Sequence, residues 1–191
     1  MPNFDLISPE VNVKNIHGPG SKPMRTAAGA WASLYEELRV AADSWFEQVI
    51  ATEDLFKGPA AEKFVAAAGQ YHGWLIGHAN TAWETYEGLS GVVGAYEKAV
   101  ESMVPTSSIV ANRATALTLK TTNFLGQFTT KIMELDDEYQ KMWAQNAEAM
   151  NQYQYTIFDI MARVEKSGII PAPQIIDDTS KSLSHVDYVL I

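Results

Sequence analysis

The sequence predicts an all-α protein: an elongated bundle of long antiparallel helices, about five in number. Two observations carry this. The eight prolines stand at positions 2, 9, 19, 23, 59, 105, 171 and 173, which leaves long proline-free stretches at 24–58, 60–104 and 106–170. Within those stretches apolar residues recur at a period of about 3.5, the spacing of helices packed along a continuous seam. A proline inside a helix costs roughly 3 kcal/mol but is tolerated in the first turn. Pro23, Pro59 and Pro105 therefore read as helix starts.

The first long helix is expected over 21–53, with Met24, Ala27, Trp31, Leu34, Leu38, Ala41, Trp45 and Val49 facing inward. The second is expected over 60–103 and would run about 65 Å. Its inward line is Phe64, Ala67, Tyr71, Leu75, His78, Ala82, Leu89, Val92 and Tyr96. A further stripe of Ala66, Gly69, Gly73, Gly77 and Asn80 lies on the opposite side. Interior glycines each cost about 0.5–1 kcal/mol relative to alanine, so their spacing by four suggests a second helix in close approach. A shorter helix is expected over 106–122, packed through Ile109, Val110, Ala114 and Leu117. It ends at an unusually apolar, glycine-centred break, Asn123-Phe124-Leu125-Gly126-Gln127-Phe128-Thr129. The last helix is expected over 130–166, inward at Ile132, Leu135, Tyr139, Met142, Trp143, Met150, Tyr153, Ile157, Ile160 and Val164. Residues 1–167 thus form a helical domain, and 168–191, which has no helical seam, a loosely ordered tail.

Composition narrows the function. The chain has 191 residues and a formal net charge of −9, which argues against a phosphate backbone as partner. The absence of cysteine excludes disulfides, thiolate metal sites and cysteine nucleophiles. No apolar run approaches the ~20 residues of a membrane span. The start, MPNFDLISPE, has neither the basic nor the apolar region of a Sec-type signal.

The motifs point away from catalysis. None of the four histidines belongs to HExxH or Glu-x-x-His, which excludes a di-iron bundle, and no GxSxG occurs. His78, within an apolar line, reads as a packed residue. Gly18-Pro19-Gly20-Ser21-Lys22-Pro23 reads as a turn into a helix, and Glu134 to Glu138 as the solvated flank of the last helix. No enzyme, cofactor or metal site is expected. What remains is surplus apolar surface: Ala42, Phe46 and Ile50 lie outside the main line of the first long helix, and Trp83, Tyr86 and Val93 outside that of the second. Such a strip marks an interface, so the helices are expected to be completed by those of another chain.

A run of short motifs gives that chain a context. In order they are Ser8-Pro9-Glu10-Val11-Asn12, Gly18-Pro19-Gly20-Ser21, Ala27-Ala28-x-Ala30-Trp31-x-x-Leu34, Gly58-Pro59-Ala60, Tyr71-x-x-Trp74-Leu75, Ala95-Tyr96-Glu97, Val104-Pro105, Ala111-Asn112-Arg113, Asn123-Phe124-Leu125-Gly126-Gln127 and Met142-Trp143-Ala144-Gln145. In this the chain resembles the N-terminal domain of the mycobacterial PPE family over roughly residues 4–165. The resemblance implies a non-catalytic substrate of a type VII (ESX) secretion system. It implies 1:1 pairing with a PE protein, a helical hairpin that completes a four-helix bundle with the second and third helices. It also implies capture of the tip, Asn123 to Thr129, by a cytosolic EspG-type chaperone. The chain would then be transiently cytosolic and finally exported, secreted or held at the cell envelope.

The PE interface is expected at Trp31, Leu34, Leu38, Trp45, Phe64, Tyr71, Leu75, Ala82 and Leu89. The chaperone-binding tip is expected at Asn123, Phe124, Leu125, Gly126, Gln127, Phe128 and Thr129, with Phe124, Leu125 and Phe128 as the contacts. The turn that in the family reads Trp-x-Gly, part of a secretion signal, is Phe56-Lys57-Gly58 here. Phenylalanine keeps a ring but lacks the indole N–H. The name-giving Pro-Pro-Glu is Ser8-Pro9-Glu10. An alternative to PE pairing is a scaffold that associates with itself through the same apolar strip.

Overall fold

The computed structural model of the protein describes residues 2–53, 55–165 and 172–173. Nearly all of the tail expected over 168–191 lies outside the described residues. A 3-10 turn, Phe4–Leu6, precedes five helices: α1 (Pro9–His17), α2 (Lys22–Glu53), α3 (Pro59–Ser102), α4 (Thr106–Thr122) and α5 (Thr129–Val164). No strand occurs among the described residues. The proline markers hold: Pro23 is the second residue of α2, Pro59 opens α3, and Pro105 caps α4 with extended backbone (φ −67°, ψ 148°).

Two compact units divide the described chain: residues 2–29 with 85–165, and residues 30–84. In the first, α5 is the central element, packed by α4, α1 and the 3-10 turn. Its core joins Phe4, Val13 and Ile16 to Ala99 of α3, Met103 just beyond its end, Ile109 of α4, and Ala147, Ala149 and Met150 of α5. The expected inward line of α5 is at least half-buried throughout. Three fully or nearly buried asparagines (Asn12, Asn112 and Asn146) accompany this core. Each serves backbone groups where the chain breaks or crosses. Asn12 Nδ2 donates to the Phe4 and Ile7 carbonyls, and Asn112 Nδ2 to that of Leu135. Asn146 bonds Val104 and Pro9. The indole N–H of Trp143 likewise donates to the Asp5 carbonyl at 2.9 Å.

The close helix approach foreseen for α3 occurs here, but at other glycines. A Cβ at Gly88 would stand 2.6 Å from Val164 Cγ2, and one at Gly91 would stand 3.1 Å from Ile160 Cδ1. Gly69, Gly73 and Gly77 instead have nothing within 4 Å of where a Cβ would be. The run from Glu134 to Glu138 also differs from a merely solvated flank, because α4 reaches across to it with Asn112, Arg113 and Lys120.

In the second unit the α2–α3 hairpin is antiparallel. Residue 35 meets 83, 45 meets 71 and 46 meets 72, so the pair numbers sum to a near-constant value. Its interior is Ala42 and Val49 of α2 against Ala61, Ala68, Leu75, Ala79 and Ala82 of α3. The inward line of α2 is therefore rotated from the expected one. Ala27, Leu34 and Ala41 are exposed, whereas Ala28 and Ala42 are buried. Small residues at the centre let the two backbones come together, and the large rings are displaced to the edges.

Candidate functional site

At about 100° per residue, Tyr71, Trp74 and His78 fall to one side of the buried Leu75–Ala79–Ala82 line of α3, and His72 and Trp83 to the other. On α2, Leu34, Ala41 and Trp45 lie to one side of the buried Ala42–Val49 line, and Phe46 and Ile50 to the other. The hairpin thus has two apolar edges.

The first edge is a ladder of rings. Trp45 packs on Tyr71 (centroids 5.0 Å apart), Tyr71 on Trp74 (5.2 Å) and Trp74 on His78 (4.6 Å). Trp45 is fixed by its indole N–H, which donates to the Ala68 carbonyl at 3.0 Å. The second edge carries two separate pairs, Tyr35–Trp83 (5.1 Å) and Phe46–His72 (5.2 Å), with Ile50 beyond them.

The residues expected to meet a partner gather mainly on the first edge. Leu34 is exposed; Trp31, Leu38, Trp45, Phe64 and Tyr71 are half-buried. Two need correction. Leu75 is 7% exposed and Ala82 1%, so they form the floor between α2 and α3 rather than a surface a partner can reach. Leu89 belongs to the other unit, where it is half-buried. Trp74 was absent from the expected set although it lies three residues after Tyr71 and four before His78, the spacing that shares a helix face. Among the surplus residues, Ala42 and Val93 are core, while Phe46, Ile50 and Trp83 stand 50%, 48% and 41% exposed.

The turn between α2 and α3 also presents apolar groups. The Leu55 and Phe56 amides both donate to the Thr52 carbonyl, which ends α2 and leaves Leu55 and Phe56 exposed. Gly58 follows at φ +108°, a conformation only glycine adopts without strain, and its carbonyl takes the first amides of α3 from Ala61 and Glu62.

The tip between α4 and α5 is built to hold two side chains out. The Asn123 side chain accepts from the Phe128 amide at 2.8 Å and donates to Thr129 Oγ1 at 3.1 Å. Gln127 Oε1 accepts from the Leu125 amide at 3.0 Å. Gly126 at φ +76° closes the turn. Phe124 and Leu125 are left 87% and 92% exposed, while Phe128 is half-buried. Of the three side chains expected as contacts, Phe124 and Leu125 are therefore exposed, while Phe128 is part of the frame.

Two to three turns below, a polar clasp joins α4 to α5. Arg113 pairs with Asp136 at 2.8 Å and Lys120 with the same carboxylate at 2.9 Å. These hydrogen bonds, Lys120's first, hold the Asp136 carboxyl below its ordinary range. Arg113 also donates to the Leu135 carbonyl, and its guanidinium lies 4.2 Å from the centre of the Tyr139 ring. Burial raises the Tyr139 hydroxyl, with Glu10 adding to the shift.

Among the described residues no group of three or more His, Asp or Glu side chains is arranged to hold a metal ion. No described helix is long and apolar enough to cross a membrane. What this surface offers is shape and apolar contact.

The chain is similar to known mycobacterial proteins. It is 40% identical over 153 residues to the uncharacterized PPE family protein PPE45 of Mycobacterium tuberculosis, covering 79% of this chain and 38% of that one. It is 34% identical over 163 residues to PPE41 of the same organism, covering 85% and 84%. A serine-rich antigen of Mycobacterium leprae is 34% identical over 176 residues, covering 91% and 43%. The chain thus spans less than half the length of PPE45 and of the serine-rich antigen, and most of PPE41. The model of the PPE family matches residues 3–165, from the 3-10 turn through all five helices, and the chain belongs to that family.

Proposed function

We propose that this PPE-family chain is a non-catalytic export substrate that pairs 1:1 with a PE protein. The PE helical hairpin lies along the first edge of α2–α3, over Leu34, Trp45, Tyr71, Trp74 and His78, and completes a four-helix bundle. An EspG-type chaperone holds the pair in the cytosol by Phe124 and Leu125 at the tip, and a type VII secretion system exports it. Phe56-Lys57-Gly58 takes the place of the Trp-x-Gly part of the secretion signal.

The observation that carries this reading is the first edge. A continuous run of four aromatic rings, bordered by the exposed Leu34, lies at the margin of a helix pair whose own interior is filled mostly by alanine. Such a surface is stabilised when another apolar face removes it from water, at roughly 25 cal/mol per Å².

Co-expression with a PE protein tests the proposal. The pair should run as a 1:1 complex in sedimentation, and Leu34→Asp with Ala41→Asp should break it. A pair that forms equally well with both substitutions would overturn the assignment of the edge. A stable homodimer that ignores PE would establish self-association in its place.

A further inference from the structure

We infer that the second edge of the α2–α3 hairpin is a separate docking surface, and that its occupant is a basic amphipathic helix of another protein. Three observations on that edge lead there. Phe46, Ile50 and Trp83 are about half exposed, and they lie across the buried line from the ring ladder assigned to PE. One hairpin laid on the first edge leaves them in water. Next to them the α3 flank is open: Gly69 and Gly73, with nothing within 4 Å of a Cβ, permit a helix backbone to approach closely. On the α2 side, Glu36, Asp43 and Glu47 recur at i, i+7 and i+11, all exposed, against Arg39 as the one base on that flank within residues 30–53.

An apolar strip between an acidic rim and a glycine flank fits a helix with an apolar face and Lys or Arg along one border. The same rim disfavours the other occupants. Two copies of a chain of net charge −9 would bring their acid rims together, and an anionic membrane surface repels them as well. His72 is packed on Phe46 within the strip, so a covering helix also removes that ring from water.

The probe is a synthetic helical peptide of about six turns with a Leu/Ala face and Lys borders, compared with the same peptide bordered by Glu. It is titrated against the PE complex where pairing holds, and against the full chain otherwise, so a failure of PE pairing leaves this test standing. The Lys peptide should bind, change Trp fluorescence and weaken with added salt. Phe46→Asp with Ile50→Asp should reduce its affinity at least about tenfold while the 1:1 PE complex persists. Equal binding of the two peptides, no binding of the Lys peptide, or binding that survives the double substitution would overturn the inference. So would sedimentation or vesicle flotation showing that Phe46 and Ile50 mediate a homodimer or adhesion to anionic lipid.

Discussion

The side-chain amide of Asn146 holds both backbone polar groups of Val104: Oδ1 accepts from its N–H at 2.7 Å and Nδ2 donates to its carbonyl at 3.3 Å. The same Nδ2 donates to the Pro9 carbonyl at 3.2 Å. Val104 lies in the break between α3 and α4, where the next residue, Pro105, has no N–H to offer. One fully buried asparagine thus supplies partners to three backbone groups of α1 and the α3–α4 turn.

Asn146→Ala should cost about 2–4 kcal/mol, because buried groups lose their partners and gain no water. Asn146→Asp keeps the acceptor but replaces the donor with a buried charge, so it should be no better at pH 7. Urea unfolding of the chain, or of its PE pair at fixed concentration, measures both. A loss below 0.5 kcal/mol, the ordinary scatter of surface changes, would mean that water replaces the amide.

The glycines of α3 should divide by sign. Gly88→Ala places a methyl within 2.6 Å of Val164 Cγ2, so the Val164 side chain or the end of α5 must give way, at a cost of about 1–3 kcal/mol. Gly73→Ala meets nothing and should instead gain about 0.5–1 kcal/mol from helix propensity alone. Thermal melts of the two variants side by side should therefore move in opposite directions. If both rise, the α3–α5 approach at Gly88 is looser than described.

What could be read from the residues divides in the same way. Proline placement located the starts of α2, α3 and α4 to within a residue or so, because a missing N–H is a local and costly constraint. The line of α5 was also legible, since large apolar residues repeat along one face. The rotation of α2 was not: Ala27, Ala28, Ala41 and Ala42 are adjacent alanines, and period alone does not tell which of each pair is inside. Nor were the three buried asparagines, whose partners are carbonyls of distant segments with no pattern of their own. At the site, the apolar break that forms the tip and the rings of Trp45 and Tyr71 were legible from their residues and spacing, while Trp74 was missed. The sorting of rings into two edges depends on which alanines form the floor, so it emerges only from the packing.

Acid should loosen the α4–α5 clasp. Asp136 has a folded pKa below its unfolded value, so its contribution is present above about pH 4 and is lost as pH falls through the folded value. Asp136→Asn should lower stability at pH 7 and flatten the fall in stability below pH 4, with the difference shrinking at high salt because the group is partly exposed. Urea midpoints from pH 2 to 7 test this. Parallel profiles for the two proteins would place the acid sensitivity elsewhere.

The tip separates folding from binding. Leu125→Asp with Phe124→Asp alters side chains that are 92% and 87% exposed, so stability should stay within about 0.5 kcal/mol. Pairing with PE, assigned to the other helix pair, should be unchanged. Capture by the chaperone should fall by at least about tenfold, because two apolar anchors become charges that the interface would have to desolvate. Phe128→Asp serves as the contrast. Phe128 is half-buried and its amide is held by Asn123, so that variant should lose stability as well as binding. Chaperone pull-down of the PE complex reads both effects. Undiminished capture of the Phe124/Leu125 variant would move the chaperone contact off the tip and onto the outer face of α4, where Val110 and Leu117 are also exposed.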